Sequence, residues 1–276
     1  MKQKGLLDST FFVTWDEPDL RPEFEQNRAK WEQQIRVLKE NGFPKRQVEM
    51  TWRCQSATAF MEPYPTVWCP QYSYFERLYS DFLQQRRQAG DIIGFYLTGS
   101  GNGQEPRHYL PFSLTEMRRL NYYLWQHGLT LCEFWALDIT WRKTGPDPFS
   151  MVVGGAYGGG TDALIYPNPM KDLTRPFLSS LRLEAIRDGI EDYCYLWVLD
   201  RLVARTKTQG AAELADSGAK VLSDLSIKFG KNLRDYHLSN AADYAEARRL
   251  LAETIIKLKG NGPEVPLPRK KIGLPK

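Results

Sequence analysis

Phe11-Phe12-Val13-Thr14-Trp15-Asp16-Glu17-Pro18 is the stretch that decides the fold class. Five residues that favour extended backbone are followed at once by two carboxylates and a proline, which reads as a buried strand running out into a functional loop. Past Pro22 the period changes from two to that of a helix, with Phe24, Trp31, Ile35 and Leu38 on one face and a stop at Asn41-Gly42. Strand, loop and amphipathic helix make one βα unit.

The pattern then repeats. Val48, Met50 and Trp52 alternate in a second strand over roughly 47–54, and Pro65-Thr66-Val67-Trp68-Cys69-Pro70 forms a third. Tyr72, Phe75, Tyr79, Phe82 and Leu83 line its helix, which Gly90 ends. A fourth strand spans 92–98. Ser113, with Glu116 three residues on, is a capping box at the start of the next helix, which Gly128 closes. Residues 129–139 read as a fifth strand. This alternation predicts an α/β fold with a parallel sheet. Gly and Pro then dominate 145–160, Ala163-Leu164-Ile165-Tyr166 is one more short strand, and the rest is helical. Its apolar stripes are Ile186, Ile190, Tyr193 and Trp197, and later Tyr244, Leu251, Ile255 and Leu258. The expected division is 1–170 for the βα part, 171–260 for a helical region packed on it, and 261–276 for a mobile basic tail containing Arg269-Lys270-Lys271.

Composition narrows the function. The chain has 276 residues, 42% of them hydrophobic and 13% aromatic, with a net charge of +4 from basic residues spread along its length. Nucleic acid is therefore not an expected partner. Cys54, Cys69, Cys132 and Cys194 lie far apart, as do His108, His127 and His237, so no metal and no cofactor is expected, and the cysteines read as free and buried. The start lacks the residue order of a signal peptide and no apolar run has the length of a membrane span, so the chain reads as soluble with no membrane partner. The glycine-rich loops at 99–103 and 154–160 lack the context of a phosphate cradle.

In parallel α/β folds the loops after the strands carry function. That rule selects Asp16 and Glu17 after the first strand, Trp68 in the third unit, Tyr96 on the fourth strand, and Trp135, Asp138 and Trp141 at the fifth. Carboxylates among tryptophans and tyrosines suit a sugar, whose ring faces stack while its hydroxyls hydrogen-bond. Two adjacent carboxylates resist ionising together, so one can stay protonated as a general acid. On spacing alone, an ordinary solvated Asp-Glu loop is the better account.

Phe12-Val13-Thr14-Trp15-Asp16-Glu17-Pro18 resembles the strand-end motif of glycoside hydrolase family 123. Ala163-Leu164-Ile165-Tyr166-Pro167, with the run from Ser180 through Gly189 to Tyr193, is similar to the end of that catalytic domain. Val67-Trp68-Cys69-Pro70, Gly94-Phe95-Tyr96 and Phe134-Trp135 fall between them in the family's order. The resemblance implies a (β/α)8 barrel that removes terminal N-acetyl-β-galactosamine by substrate-assisted retention. It implies that Asp16 orients the 2-acetamido group, whose oxygen attacks the anomeric carbon, and that Glu17 is the general acid/base. Tyr96 is then a candidate to bond the acetamido carbonyl, and Trp68, Trp135, Trp141 and Asp138 are candidates to line the sugar pocket. Family members are often exported.

An eight-stranded barrel takes about 250 residues, whereas the fifth strand here already ends near Ile139. The expectation is thus a partial barrel, roughly its second half, followed by C-terminal helices and completed by another chain or by a missing N-terminal segment. Besides a glycosidase, an inactive barrel fragment or carbohydrate-binding relic and a structural protein that inherits the fold stay open.

Overall fold

Each helix that follows a strand returns the chain so that the next strand runs in the same direction, because parallel neighbours need a crossover. The result is a five-stranded parallel sheet of β1 (Phe12–Trp15), β2 (Arg46–Met50), β3 (Val67–Pro70), β4 (Ile92–Leu97) and β5 (Leu131–Phe134), in the order β1-β2-β3-β4-β5. The computed structural model describes residues 12–15, 24–43, 46–50, 66–72, 75, 80–97, 113–134, 137, 164–170, 174, 176–230, 233 and 240–260. Among them, α1 (Phe24–Glu40) joins β1 to β2, α2 (Ser80–Gln88) precedes β4, and α3 (Leu114–Gln126) precedes β5. The protein is an α/β fold, as expected.

Local chemistry sets the helix ends. Ser113 accepts a hydrogen bond from the Thr115 amide, and Glu116 Oε1 accepts one from the Ser113 amide, so the capping box forms as read from the sequence. Gly90 and Gly128, at φ 93° and 58°, take the left-handed conformation that ends α2 and α3 at no steric cost.

The chain divides into two units. The first holds the parallel sheet with α1 and α2. In it Trp31 and Ile35 of α1 are buried, as the helical stripe predicts. Between β1 and β2 the register shifts between Val13 and Trp15, so a bulge lies just before Asp16 in the chain.

The second unit contains α3, β6 (Ile165–Pro167), β7 (Phe177–Ser179), α4 (Leu181–Thr208), α5 (Ala212–Leu225), a π-helical turn at Ser226–Gly230 and α6 (Ala241–Lys259). The short strand expected near 163–166 forms as β6 and pairs antiparallel with β7 in a two-stranded sheet. One expectation is corrected here. The buried face of α4 runs through Ile186, Gly189, Asp192, Leu196, Leu199 and Leu202, while Ile190 is 53% exposed. The stripe is turned because α4 crosses α3 at Gly189, where a β-carbon would stand 2.3 Å from Asn121 Nδ2 and 3.0 Å from the Arg118 carbonyl oxygen. The core of this unit gathers Tyr122, Leu196, Leu199, Phe229, Tyr244 and Leu251. Arg119 Nε donates to the Phe229 carbonyl at 2.9 Å and so satisfies an acceptor of the π-helical turn.

Candidate active face of the parallel sheet

Residues in register across parallel strands share a face, and so do alternate residues along one strand. Gln71, just past β3, pairs with Tyr96 of β4, and Tyr96 pairs with Glu133 of β5. These three form one polar row at the carboxyl ends of the strands. One step back on the same face are Cys69, Gly94 and Leu131, and behind them Val67 and Ile92. The face thus changes from apolar to polar toward the edge where βα loops begin, which is the edge that carries ligands in parallel folds.

The row is tightly held. Gln71 and Tyr96 are buried, and Glu133 is half-buried. Across the strands the Cys69 thiol donates to Glu133 Oε2, with sulfur and oxygen 3.8 Å apart. Gly94 lets the two strands approach closely on this face: a β-carbon there would lie 2.6 Å from both the Leu131 Cβ and its carbonyl oxygen. Leu131 therefore lies across β4 as an apolar floor beside the row.

The opposite face belongs to the helices. Trp68 Nε1 donates to Asp91 Oδ2 at 2.8 Å, the indole meets Phe82 edge-on at 4.9 Å, and the Arg86 guanidinium lies 5.7 Å from the ring centroid. Phe82 and Arg86 are both on α2. Phe95 packs against Tyr72 and Phe75 on this side. Desolvation, with the Glu133 charge adding to it, pushes the Cys132 thiol well above its ordinary value of 9.0.

These positions sort the residues expected from the sequence. Tyr96 stands in the polar row. Trp68, expected from the sequence to wall a sugar pocket, does not: it is fully buried under α2 on the other face. Its parity along β3, one residue from Cys69, sends it there. Asp16, Glu17, Trp135, Asp138 and Trp141 lie outside the described residues. The sequence reading passed over Gln71 and Glu133, although a carboxylate inside Leu131-Cys132-Glu133-Phe134 is the signal that finds one of them, since charge is costly to place in an apolar strand.

Of the four cysteines, Cys69 is buried, Cys132 half-buried and Cys194 exposed, all as free thiols, and Cys54 lies outside the described residues. The exposure of Cys194 corrects the expectation of burial for that residue. Among the described residues no group of three or more His, Cys, Asp or Glu side chains is arranged to hold a metal ion, and no helix is long and apolar enough to cross a membrane. An apolar groove of about 430 Å³ lined by Phe12, Val13, Gln33, Gln34, Val37 and Leu38 runs between β1 and α1.

The family model described as glycoside hydrolase 123, catalytic domain, matches residues 1–199, which include all five parallel strands and the start of α4. The chain belongs to this family. Among solved structures, the family 123 chain is similar to a family 123 glycoside hydrolase from Clostridium perfringens studied for glycolipid glycan hydrolysis. The two share 16% sequence identity with a TM-score of 0.52, and the likeness covers 92% of this chain and 43% of that one. At that identity the likeness speaks to the fold. The family 123 chain thus spans less than half the length of the structure it matches. No curated protein sequence matches it.

Proposed function

We propose that this chain carries the acid-bearing part of a glycosidase active site, one that acts on terminal N-acetyl-β-hexosamine of the galactosamine type by substrate-assisted retention. In this reading Asp16 orients and polarises the 2-acetamido group, whose carbonyl oxygen attacks the anomeric carbon. Glu17 protonates the departing oxygen and then activates water. Family membership over residues 1–199 is the observation that carries it, because that stretch contains the Asp16-Glu17 motif directly after a strand of the parallel sheet. Tyr96 in the polar row fits a donor to the acetamido carbonyl, and Trp135, Asp138 and Trp141 follow β5 in the chain as candidates for the sugar pocket.

We read the parallel sheet as an arc of a (β/α)8 barrel. Its strands follow one another in the order β1-β2-β3-β4-β5 without the reversal that marks a doubly wound sheet. The remaining strands would come from an N-terminal segment or from another chain, a reading supported by coverage of only 43% of the family 123 structure. The same coverage favours the second reading, a carbohydrate-binding fragment without catalysis.

Hydrolysis of a chromogenic N-acetyl-β-galactosaminide is the test. Glu17→Gln is expected to lower kcat by about 10²–10⁴-fold, the usual scale of general acid–base help. A well-folded sample that binds the sugar without turnover selects the second reading. Turnover that Glu17→Gln leaves intact overturns the role given to Glu17.

A further inference from the structure

We propose that the outer face of α4 is the contact surface for a second copy of this chain, the two α4 helices packing antiparallel about a two-fold axis; this goes beyond the glycosidase reading and does not rest on it. One face of α4 buries Gly189, Asp192, Leu196, Leu199 and Leu202 within its own unit. The opposite face carries a second series, Arg187, Ile190, Cys194, Trp197, Arg201 and Ala204, spaced alternately by three and four residues. Ile190 is 53% exposed, Trp197 is half-buried, and the other four are exposed. That spacing, kept over several turns, makes the seam on which another helix packs. A helix that served only its own core would be polar along this face, whereas Ile190, Cys194, Trp197 and Ala204 are not.

The aromatic groups sit at the middle of the seam. The Arg201 guanidinium lies 5.1 Å from the Trp197 ring centroid, and one turn before Trp197 the Tyr193 ring meets Trp125 of α3 edge-on at 5.6 Å. Tryptophan, tyrosine and arginine are the side chains that carry most of the binding energy at protein interfaces.

Charge along the helix identifies the occupant. Among its residues that are not buried, the first half carries three acids and one base, Glu184, Asp188, Glu191 and Arg187. The second half carries three bases and one acid, Arg201, Arg205, Lys207 and Asp200. In an antiparallel pair the acidic half of each helix lies along the basic half of the other, and the two helix dipoles oppose as well. The two-fold axis makes this match twice, as a self-complementary interface requires. With Cys194 of one copy opposite Trp197 of the other, Ile190 meets the aliphatic stem of Arg201, and Arg187 meets Ala204. No like charges then face each other along the seam. Parallel pairing would set Arg187 on Arg187 and Arg201 on Arg201.

Sedimentation of the full chain from low to high micromolar concentration tests the association, with circular dichroism and thermal unfolding of each sample as the check on folding. Wild type is expected to pass from monomer to dimer, and added salt to weaken the dimer. Ile190→Arg and Trp197→Glu are each expected to raise the dimer Kd by about thirty-fold or more, with little change in the unfolding midpoint. Ile256→Arg, which changes a 70% exposed apolar residue on α6 instead of α4, is expected to leave Kd unchanged.

A short bismaleimide reads the orientation. Antiparallel pairing in this register brings the two Cys194 residues within one turn of each other, and the crosslinked dimer should vanish in Cys194→Ser. Adding Ala204→Cys to that variant should not restore it, because the two copies of position 204 stand about 25 Å apart along the axis at 1.5 Å per residue. Restored crosslinking would overturn the antiparallel arrangement. A chain that stays monomeric throughout, a dimer that Ile190→Arg and Trp197→Glu leave intact, or equal weakening by Ile256→Arg overturns the proposal, whether or not the chain hydrolyses a glycoside.

Discussion

Asp192 of α4 is fully buried and receives Arg118 of α3 at 2.6 Å on one carboxylate oxygen and Arg248 of α6 at 2.6 Å on the other. Three helices are thus fastened through one carboxylate. Arg118 also donates to the Tyr244 carbonyl, and Arg248 to the Asp188 carbonyl, so the arginines are anchored at both ends. Burial works against the Arg118 charge, but the Asp192 hydrogen bond and charge outweigh it and raise its pKa.

Removing the shared carboxylate takes the ion-pair partner from the partly buried Arg118 guanidinium and leaves Arg248 with Glu191. Asp192→Ala is therefore expected to cost about 3–5 kcal/mol of stability, the scale for breaking a buried pair from one side. Arg187→Ala, which removes pairs to Glu184 and Glu191 on the exposed face of α4, is expected to cost less than about 1 kcal/mol. Urea unfolding of both variants checks the contrast, and comparable losses would refute it.

Gly189→Ala puts helix propensity against packing. Alanine favours a helix by about 1 kcal/mol over glycine. Its β-carbon, however, would stand 3.0 Å from the Arg118 carbonyl oxygen and 3.1 Å from the Arg118 Cα, which are backbone atoms of α3, as well as 2.3 Å from Asn121 Nδ2. The side chain can swing away, but the backbone moves only with its helix. A net loss of about 1–3 kcal/mol is expected. Combining it with Asn121→Ala should return part of the loss, and a stabilised Gly189→Ala would show that α4 and α3 are not in contact there.

What the sequence made legible was what depends on near neighbours. The capping box at Ser113 and Glu116 involves groups three residues apart, and the left-handed stop at Gly128 is a property of a single residue. The βα alternation follows from the hydrophobic period, so the parallel sheet was legible too. Facing was not. Trp68 and Cys69 are adjacent in sequence, yet they point to opposite sides of β3, and only the register with β4 and β5 tells which side holds the polar row. The same limit hid Glu133, whose meaning depends on Tyr96 thirty-seven residues earlier in the chain. Phe177–Ser179 was missed because a three-residue exposed strand carries no alternation to read.

Acid should loosen the second unit through surface carboxylates. The Lys228 ammonium, then the Asn240 amide, hold Asp243 below its ordinary value of 3.8, and Arg249 holds Glu246 below 4.5. The Ser179 hydroxyl and then Arg187 lower Glu184 in the same way. A depressed folded pKa means stabilisation that is present above the unfolded value and is lost as pH falls through the folded one. Tm should thus vary little between about pH 7 and 5 and decline below about pH 4. Because these groups are exposed, added salt should shrink the decline. Asp243→Asn should flatten the acid limb, and an acid limb steeper than that of wild type would contradict the assignment.

Trp68→Phe separates a core tryptophan from a sugar-stacking one. Phenylalanine keeps an aromatic ring against Phe82 but removes the Nε1–H that Asp91 accepts, so the buried carboxylate loses one of its donors and keeps Arg86. Loss of one such hydrogen bond together with the smaller ring is expected to cost about 2–3 kcal/mol. KM for any glycoside the chain hydrolyses, or Kd for any sugar it binds, should stay within about twofold of wild type, because the indole lies under α2 on the face away from Tyr96 and Glu133. A tryptophan that stacked on the sugar would give the reverse result, a weakened KM with little change in the unfolding midpoint. Thermal unfolding and steady-state kinetics on the same preparation therefore decide between the two faces of β3.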